Sequence, residues 1–333
     1  MNKGICIAGN MIVDILYPCN GWPQQGQLVH IQDGISRATG GAVCNTIIDI
    51  AKLDPSMPLY ALGKIGEDAE GDLILENLGK HPNIDTKNVI REGISAFTLV
   101  LNDMISKERT FFTYLGANSK FDVEDVDTEA LKCNIFHIGY ILLLNALDQS
   151  DDEYGTRMAR LLHAVQQRGI KTSIDVVSEA SDRFTRLVQP ALKYTDYCII
   201  NELEAGQSTG ITLRDEAGKL LYDNIPLALR RMKELGVSTW AVIHCPEGGF
   251  GLDENNNYIA RESLHLPEGY IKGSVGAGDA FCAGVLCGAE HGDKLEDAIV
   301  LGIASAAASL SEASATDGLR TQAEVMALYN RLR

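Results

Sequence analysis

Between Cys133 and Cys245 the chain alternates between two kinds of text, and this constrains the fold more than any other feature. Short apolar runs, CNIFHIGYI, KTSIDVV, DYCIINE and WAVIHC, read as buried strands. The stretches around Tyr154–Arg168, Arg183–Lys193 and Asn224–Leu235 carry helical spacing between them. Such a βα rhythm builds a mostly parallel sheet with helices on both faces, and ligands then bind at the carboxyl ends of its strands. The same rhythm begins earlier, with a strand at Ile5–Gly9, a helix over AVCNTIIDIAKLD, a strand in PLYALGKIG and a helix from about Ala69 to Leu78. The last third reads as three helices, Asp279–Glu290, Lys294–Leu310 and Thr321–Leu332. Gly292 is placed to stop the first, and Asp293 with Glu296 to form a capping box for the second.

Some segments break the rhythm. Residues 10–38 read as irregular, with QLVHIQDG as a short strand. SAFTLVLND and ERTFFTYLG read as an antiparallel hairpin, and GFGLDENNNYIARESL as another turned at Asn255-Asn256-Asn257. The expectation is one α/β domain over residues 1–333, a three-layer α/β/α sandwich with a small β-sheet lid drawn from about 10–38 and 92–118. The chain carries no long linker, internal repeat or low-complexity tract.

Charge narrows the partners. The formal net charge is −16, which repels a phosphate backbone and disfavours nucleic acid. A small phosphorylated ligand remains compatible, because backbone amides at a helix N-terminus hold phosphate whatever the overall charge. No apolar run approaches a membrane span and no charged-then-apolar leader opens the chain, so a soluble, cytoplasmic protein without a membrane partner is expected. Eight dispersed cysteines without a CxxC pair, most of them inside apolar runs, read as reduced, buried thiols.

The most informative stretch is GSVGAGDAFCAGVLCGAE, residues 273–290. Gly276, Ala277 and Gly278 let the backbone approach a ligand, and the helix that follows aims its unpaired amides and positive dipole end at the same spot. Asp279 stands at the mouth of this anion hole. A carboxylate there suits a general base that takes a proton from an attacking hydroxyl while the amides absorb charge on a transferring phosphoryl group. An Asp also favours helix N-caps, and for a lone G-x-G-D that structural role is the better reading. The rest of the chain decides between them.

Five motifs together resemble the ribokinase, or PfkB, family of carbohydrate kinases. GSVGAGDAF is similar to that family's D-T-x-G-A-G-D motif. GGAVCN (Gly40–Asn45), GKIGEDAEG (Gly63–Gly71), NELE (Asn201–Glu204) and GNMIVD (Gly9–Asp14) are similar to its glycine pair with a sugar-binding Asn, its G-x-x-G-x-D-x-x-G stretch, its N-x-x-E motif and its opening strand-end. The motifs stand in family order along nearly the whole chain. The resemblance implies a ribokinase-like fold and ATP-dependent transfer to a hydroxyl of a small sugar. It implies Asp279 as base, with anion-hole amides at Ala277, Gly278 and Asp279 after the turn at Gly276. It also implies that Asp14, Gly40, Gly41 and Asn45 hold substrate hydroxyls, and that Asn201 and Glu204 organise Mg²⁺, through water, and the ATP phosphates.

Further positions are open between two roles. Asn118 resembles the Asn of a G-A-N after the family's lid strand and is equally a turn residue. Asp175 ends a strand and can reach the crevice. His137 and His244, in apolar strands, read as core or strand-end histidines. Ser305 and Ala306, in a small-residue patch, suit either tight helix packing or a flat wall for adenine. Gly249 remains of the nucleotide loop, in which His244-Cys245-Pro246 replaces the usual T-L-G. Gly273 and Ser274 replace the Asp and Thr of D-T-x-G-A-G-D. Without that Asp, and with Lys272 beside it, a monovalent cation is expected to be weakly held or unnecessary.

No Walker-type loop, dinucleotide turn, serine elbow or H-E-x-x-H is present. Two alternatives stay open: a nucleoside kinase on the same fold, and a non-catalytic sugar- or nucleotide-binding protein. Tyr17, Trp22, Phe97, Phe112 and Tyr114 could wall a base, and packing of the lid onto the body is the better reading of them. The lid is also a candidate homodimer surface.

Overall fold

The computed structural model describes residues 3–106, 108–179 and 182–333; residue 107, within the second expected lid segment, lies outside them. Strand β1 (Ile5–Gly9) is buried throughout and leads into β2 (Ile12–Cys19). β3 (Ser36–Gly40) runs directly into α1 (Gly41–Leu53). β4 (Leu59–Ile65), α2 (Ala69–Gly79) and β5 (Ile84–Arg91) follow, then the hairpin β6 (Ala96–Asp103) and β7 (Arg109–Tyr114). β8 (Ile135–Ile141) precedes a two-residue ribbon, β9 (Ser150–Asp151) and β10 (Gly155–Thr156). The alternating part continues through α3 (Arg157–Gln166), β11 (Lys171–Val176), α4 (Phe184–Leu192), β12 (Tyr197–Asn201), α5 (Glu202–Thr209), α6 (Ile225–Leu235) and β13 (Trp240–Cys245). β14 (Gly248–Leu252) and β15 (Tyr258–Glu262) form the expected second hairpin, and α7 (Ala277–His291), α8 (Leu295–Ser309) and α9 (Gln322–Leu332) close the chain.

The central sheet has the order β15-β14-β13-β12-β11-β8-β1-β4-β5. It is parallel from β13 to β5, and β14 pairs antiparallel with both its neighbours. Strand alternation sorts its side chains into two cores. Ile5 and Ile7 pack with α1, α7, α8 and α9, whereas Cys6 and Ala8 pack with α3 to α6. These are the three expected layers. A separate sheet, β3-β2-β6-β7, is the expected small β-layer.

The sequence reading needs correction in four places. Residues 12–19, read as irregular, form β2, which pairs parallel with β6 along its whole length; Asp14 and Pro18 within it obscure the strand pattern. QLVHIQDG contributes one bridge, Cys19 to Ile31, and the strand that completes the small sheet is β3. β5 was not anticipated, because an edge strand written IDTKNVIR is too polar to look buried. Lys294, not Asp293, caps α8, with no side-chain capping bond. Gly292 does end α7, at φ 77°. Eight free cysteines, all but Cys245 buried, match the reading of reduced thiols. Among the described residues, no helix is long and apolar enough to cross a membrane.

Candidate active site

The cleft lies at the carboxyl ends of the parallel strands. Tyr140 comes from the end of β8, Asp175 from β11, Asn201 from β12 and His244 from β13, facing Gly276, Gly278 and Asp279 at the start of α7. The enclosed volume is about 260 Å³.

Helix α7 begins where the backbone bends back at Gly276, φ 80°. A Cβ there would lie 2.6 Å from the Cβ and 2.7 Å from the carbonyl oxygen of Ala315, so only glycine fits. The first-turn amides of a helix have no intrahelical acceptor. The Ala277 amide reaches the Ser274 carbonyl at 3.4 Å, and Gly278 and Asp279 line the cleft. Asp279 is the third residue of α7, not its cap. Its carboxylate is 5 % exposed. Asn45 Nδ2 donates to Oδ2 at 2.9 Å, and the Tyr140 hydroxyl donates to Oδ1 and Oδ2 at 3.2 and 3.1 Å. Burial raises the Asp279 pKa to about 6, while the bonds from Asn45 and Tyr140 oppose that rise.

On one side of Asp279, α1 and the small sheet gather Asp14, Gly40, Gly41 and Asn45. Gly40 lies against Asp14: a Cβ there would be 2.9 Å from Asp14 Oδ2. Gly41, at φ 87°, would bring a Cβ within 2.7 Å of the Asn10 carbonyl oxygen. Asp14 is half-buried; burial raises its pKa and the Thr98 hydroxyl lowers it. The Asn45 Oδ1 atom is buried and has no partner. Asn10 accepts from the Ala42 amide and so fixes the start of α1. Asn118 is 2 % exposed; it accepts from the Met11 amide and donates to the Met11 carbonyl, which makes it a brace for the turn after β1.

On the other side, Asn201 caps α5 and forms a capping box with Glu204. Asn201 Nδ2 and Ser178 Oγ both donate to Glu204 Oε1 at 2.7 Å. The Glu204 carboxyl is buried, and burial raises its pKa to about 7 against these hydrogen bonds. Asp175 is raised well above the carboxylate range by burial, then by the charges of Glu204 and Asp279. Among the described residues no group of His, Cys, Asp and Glu converges tightly enough to enclose a metal ion. Three mutually repelling carboxyls around an open cleft suit instead a hydrated divalent cation held partly through water. His244, read as a strand-end histidine, lines this cleft beside the Phe281 ring, and burial lowers its pKa to about 4. His137 stays in the core, bonded to Ser173 Oγ.

The nucleotide-side candidates divide. Gly249 is buried under the helices, where a Cβ would lie 2.7 Å from Ile299 Cγ2 and 3.0 Å from the Phe281 ring. Ser305 is fully buried, its hydroxyl unpartnered. Both sit in packing rather than in the cleft lining. Ser274 is exposed and Ala306 partly exposed.

Sequence reasoning passed over Tyr140 and Ser178. Tyr140 follows Gly139 near the end of β8 and carries the one side-chain polar atom at that strand end. It takes a left-handed backbone, φ 61°, and Leu142 does likewise at φ 88°. Non-glycine residues there cost of order 1–3 kcal/mol each.

This fold accords with the chain's relatives. The family model described as pfkB family carbohydrate kinase matches residues 2–322, and the chain belongs to that family, whose activity is phosphoryl transfer to an alcohol acceptor. A ribokinase of Arabidopsis thaliana is 25 % identical over 309 residues, 92 % of this chain and 75 % of the relative. An adenosine kinase of Schizosaccharomyces pombe is 22 % identical over 80 % of this chain and 78 % of its own. The structure of Arabidopsis thaliana ribokinase complexed with ribose and ATP superposes with a TM-score of 0.80 at 20 % identity, covering 99 % of both chains.

Proposed function

We propose that this protein transfers the γ-phosphoryl group of ATP to a hydroxyl of a monosaccharide or close derivative, with Asp279 as general base. The observation that carries this is the Asp279 carboxylate itself, buried in the first turn of α7 and held by Asn45 and Tyr140. With its pKa near 6 it is ionised at neutral pH yet more basic than an ordinary Asp, as a base requires. Oδ2 accepts from both Asn45 and Tyr140, and Oδ1 from Tyr140 alone, so Oδ1 is the oxygen to take the acceptor's proton. The amides of Ala277, Gly278 and Asp279, with the turn at Gly276, stabilise charge on the transferring group.

The buried, unpartnered Asn45 Oδ1 supports a hydroxyl-bearing ligand on the α1 side. Asp14 and the backbone of Gly40 and Gly41 complete that binding site, and Asn118 acts through Met11. Glu204, aligned by Asn201 and Ser178, would hold Mg²⁺ through water. Bound there, Mg²⁺ neutralises phosphate charge as a Lewis acid. Ser274 and Ala306 border the nucleotide. The β3-β2-β6-β7 sheet serves as a lid that closes over the sugar and excludes water. Coupled ADP release with a panel of monosaccharides is the test: turnover with none of them overturns the reading.

A second reading is a nucleoside acceptor. Trp22, in the segment after β2, and Phe112 and Tyr114 on β7 are about half exposed, with Trp22 and Phe112 stacked at 6.3 Å, so these rings are not used up in packing the sheet onto the body. Thermal shift by nucleosides but not by sugars would select it.

A further inference from the structure

A β-bulge sits where β8 meets the cleft. In the pairing of β8 with β11, Ile138 faces Ile174 and the next paired residues are Ile141 and Val176, so β8 carries one residue more than its partner opposite Asp175. Bulges of this kind re-aim a side chain. By strand alternation residue 140 would point with Phe136 and Ile138 into the layer formed by α3 to α6. Instead the bulge and the left-handed backbone at Tyr140 carry its phenol to the N-terminus of α7, on the opposite layer. There it lies nearly equidistant from the two Asp279 oxygens, at 3.2 and 3.1 Å, with Asn45 Nδ2 on Oδ2 alone at 2.9 Å. Gly139 permits the turn: a Cβ there would lie 2.3 Å from that of Ala42, so α1 and β8 are in close contact behind the tyrosine.

We infer that Tyr140 is a positioning residue for the proposed reaction, its phenol clamping Asp279 across both oxygens so that phenol and Asn45 together fix the direction in which the carboxylate accepts a proton. The inference rests on the reading of Asp279 as the base. The strained backbone at Tyr140 is otherwise unexplained, since a residue that only filled space would gain nothing from it. The phenol remains a donor at working pH: burial and then the Asp279 and Asp175 carboxylates hold it well above the ordinary tyrosine range. The groups facing it are Asp279 from α7, Asp175 from β11, Glu204 from α5 and the neutral His244 from β13.

The test is Tyr140→Phe, which keeps the ring and removes one atom. Two readouts separate positioning from packing. The side-chain carboxyl ¹³C resonance of Asp279, assigned with Asp279→Asn, is titrated in wild type and variant. Loss of the phenol's bond moves the Asp279 midpoint upward, because that bond favours the ionised form. In the kinase assay kcat falls roughly tenfold or more, the loss expected for one hydrogen bond to a charged group, while KM for ATP and acceptor stays within about twofold. An unshifted titration with wild-type kcat overturns the proposal, as does a loss confined to KM. If the wild type phosphorylates no acceptor, the functional reading fails, and the titration alone still decides whether Tyr140 holds Asp279. Thermal denaturation shows whether the variant is folded as the wild type is.

Discussion

Asn45 Nδ2 donates to Asp279 Oδ2 at 2.9 Å, a bond between residues 234 positions apart that ties the second turn of α1 to the first turn of α7. One side chain therefore touches both halves of the candidate chemistry. Its amide nitrogen orients the base, and its unpartnered oxygen is left for a ligand on the sugar side. Removal of the base itself gives the plainest expectation. Asp279→Ala lowers kcat by roughly 10²–10⁴-fold, the usual contribution of general-base catalysis. KM for ATP and acceptor changes little, because the carboxylate acts in the transition state. Steady-state ADP release measures this, and near-normal turnover would remove Asp279 from the mechanism.

The pH profile follows from the same contact. The base works only when ionised, and its pKa is raised to about 6. The base alone therefore gives half-maximal activity near that value, a plateau a pH unit or more above it and a decline of about tenfold per pH unit well below it. Glu204, raised to about 7, begins to protonate earlier and steepens the acid limb. Asn45→Ala deletes a bond that favours the carboxylate, so the acid limb of kcat at saturating acceptor moves to higher pH. A limb that moves down, or stays at the wild-type position, contradicts the Asn45–Asp279 coupling.

Much of this site was legible in the residues, and the reasons differ for what was not. Asp279, Gly276 and the Asn201–Glu204 pair stand out through five motifs in family order, because a glycine turn before a helix and a polar cap after a strand read on their own as ordinary helix starts. Tyr140 does not, because its role depends on a bulge that exists only once β8 pairs with β11. Gly249 was assigned to the nucleotide as what remains of the family's nucleotide loop, and Ser305 because a small residue suits both a flat wall and a tight helix contact. Which of the two applies depends on where Ile299 and Phe281 lie. β2 and β5 escaped for a simpler reason. Asp14 and Pro18 interrupt the apolar text of β2, the edge strand β5 carries Asp85, Lys87 and Asn88, and in both the pairing partners decide the state.

Asp49 predicts a stability effect. It lies one turn beyond Asn45 in α1, fully buried, and neither carboxylate oxygen has a hydrogen-bond partner. Burial and then the charge of Asp279 raise its pKa well above the ordinary Asp value, against a smaller opposing pull from Lys52. A carboxyl whose folded pKa is raised binds its proton more tightly in the native state. Stability from it is present below the unfolded pKa near 4 and is lost as pH rises toward the folded value. Asp49→Asn, which cannot ionise, is therefore more stable than wild type at pH 7, by about 1–3 kcal/mol or more. The advantage shrinks as pH falls toward 4. Denaturant melts at pH 7 and pH 4 check it, and a variant less stable at pH 7 would show that Asp49 makes a favourable interaction in its ionised form.

The small sheet predicts self-association. Phe111, Phe112 and Tyr114 on β7 are 60 %, 50 % and 45 % exposed, and β7 is an edge strand. An edge with exposed aromatics pairs readily with a second copy. Sedimentation is expected to give a dimer at micromolar concentration, and Phe112→Asp a monomer. A wild-type monomer at that concentration ends the idea.

The last prediction concerns monovalent ions. Gly273 stands where D-T-x-G-A-G-D has its first Asp, so no side chain is available there to ligate a cation. The chain around it is closed rather than merely short of a ligand. A Cβ at Gly273 would lie 3.0 Å from the Ala313 carbonyl oxygen and 3.1 Å from the Ala313 Cα, so the backbone of the loop after α8 crowds a side chain there and would have to give by a few tenths of an ångström. The same loop presses Ala315 against Gly276, which fixes the anion-hole turn directly by packing. Lys272, beside it, is exposed and pairs with Glu312 at 3.3 Å, so its charge stays at the mouth of this loop. A hard cation is held by several oxygens, and here a carboxylate is missing while an ammonium sits nearby. Activity is therefore expected to change less than about twofold when K⁺ is replaced by Na⁺ or tetramethylammonium at constant ionic strength, since only screening remains and that is held fixed. Gly273→Asp should not create K⁺ activation, because the added side chain is crowded by the Ala313 backbone and stands beside the Lys272 ammonium. A saturable, K⁺-specific rise in kcat of the wild type would show that carbonyls of this loop hold the ion without the missing Asp.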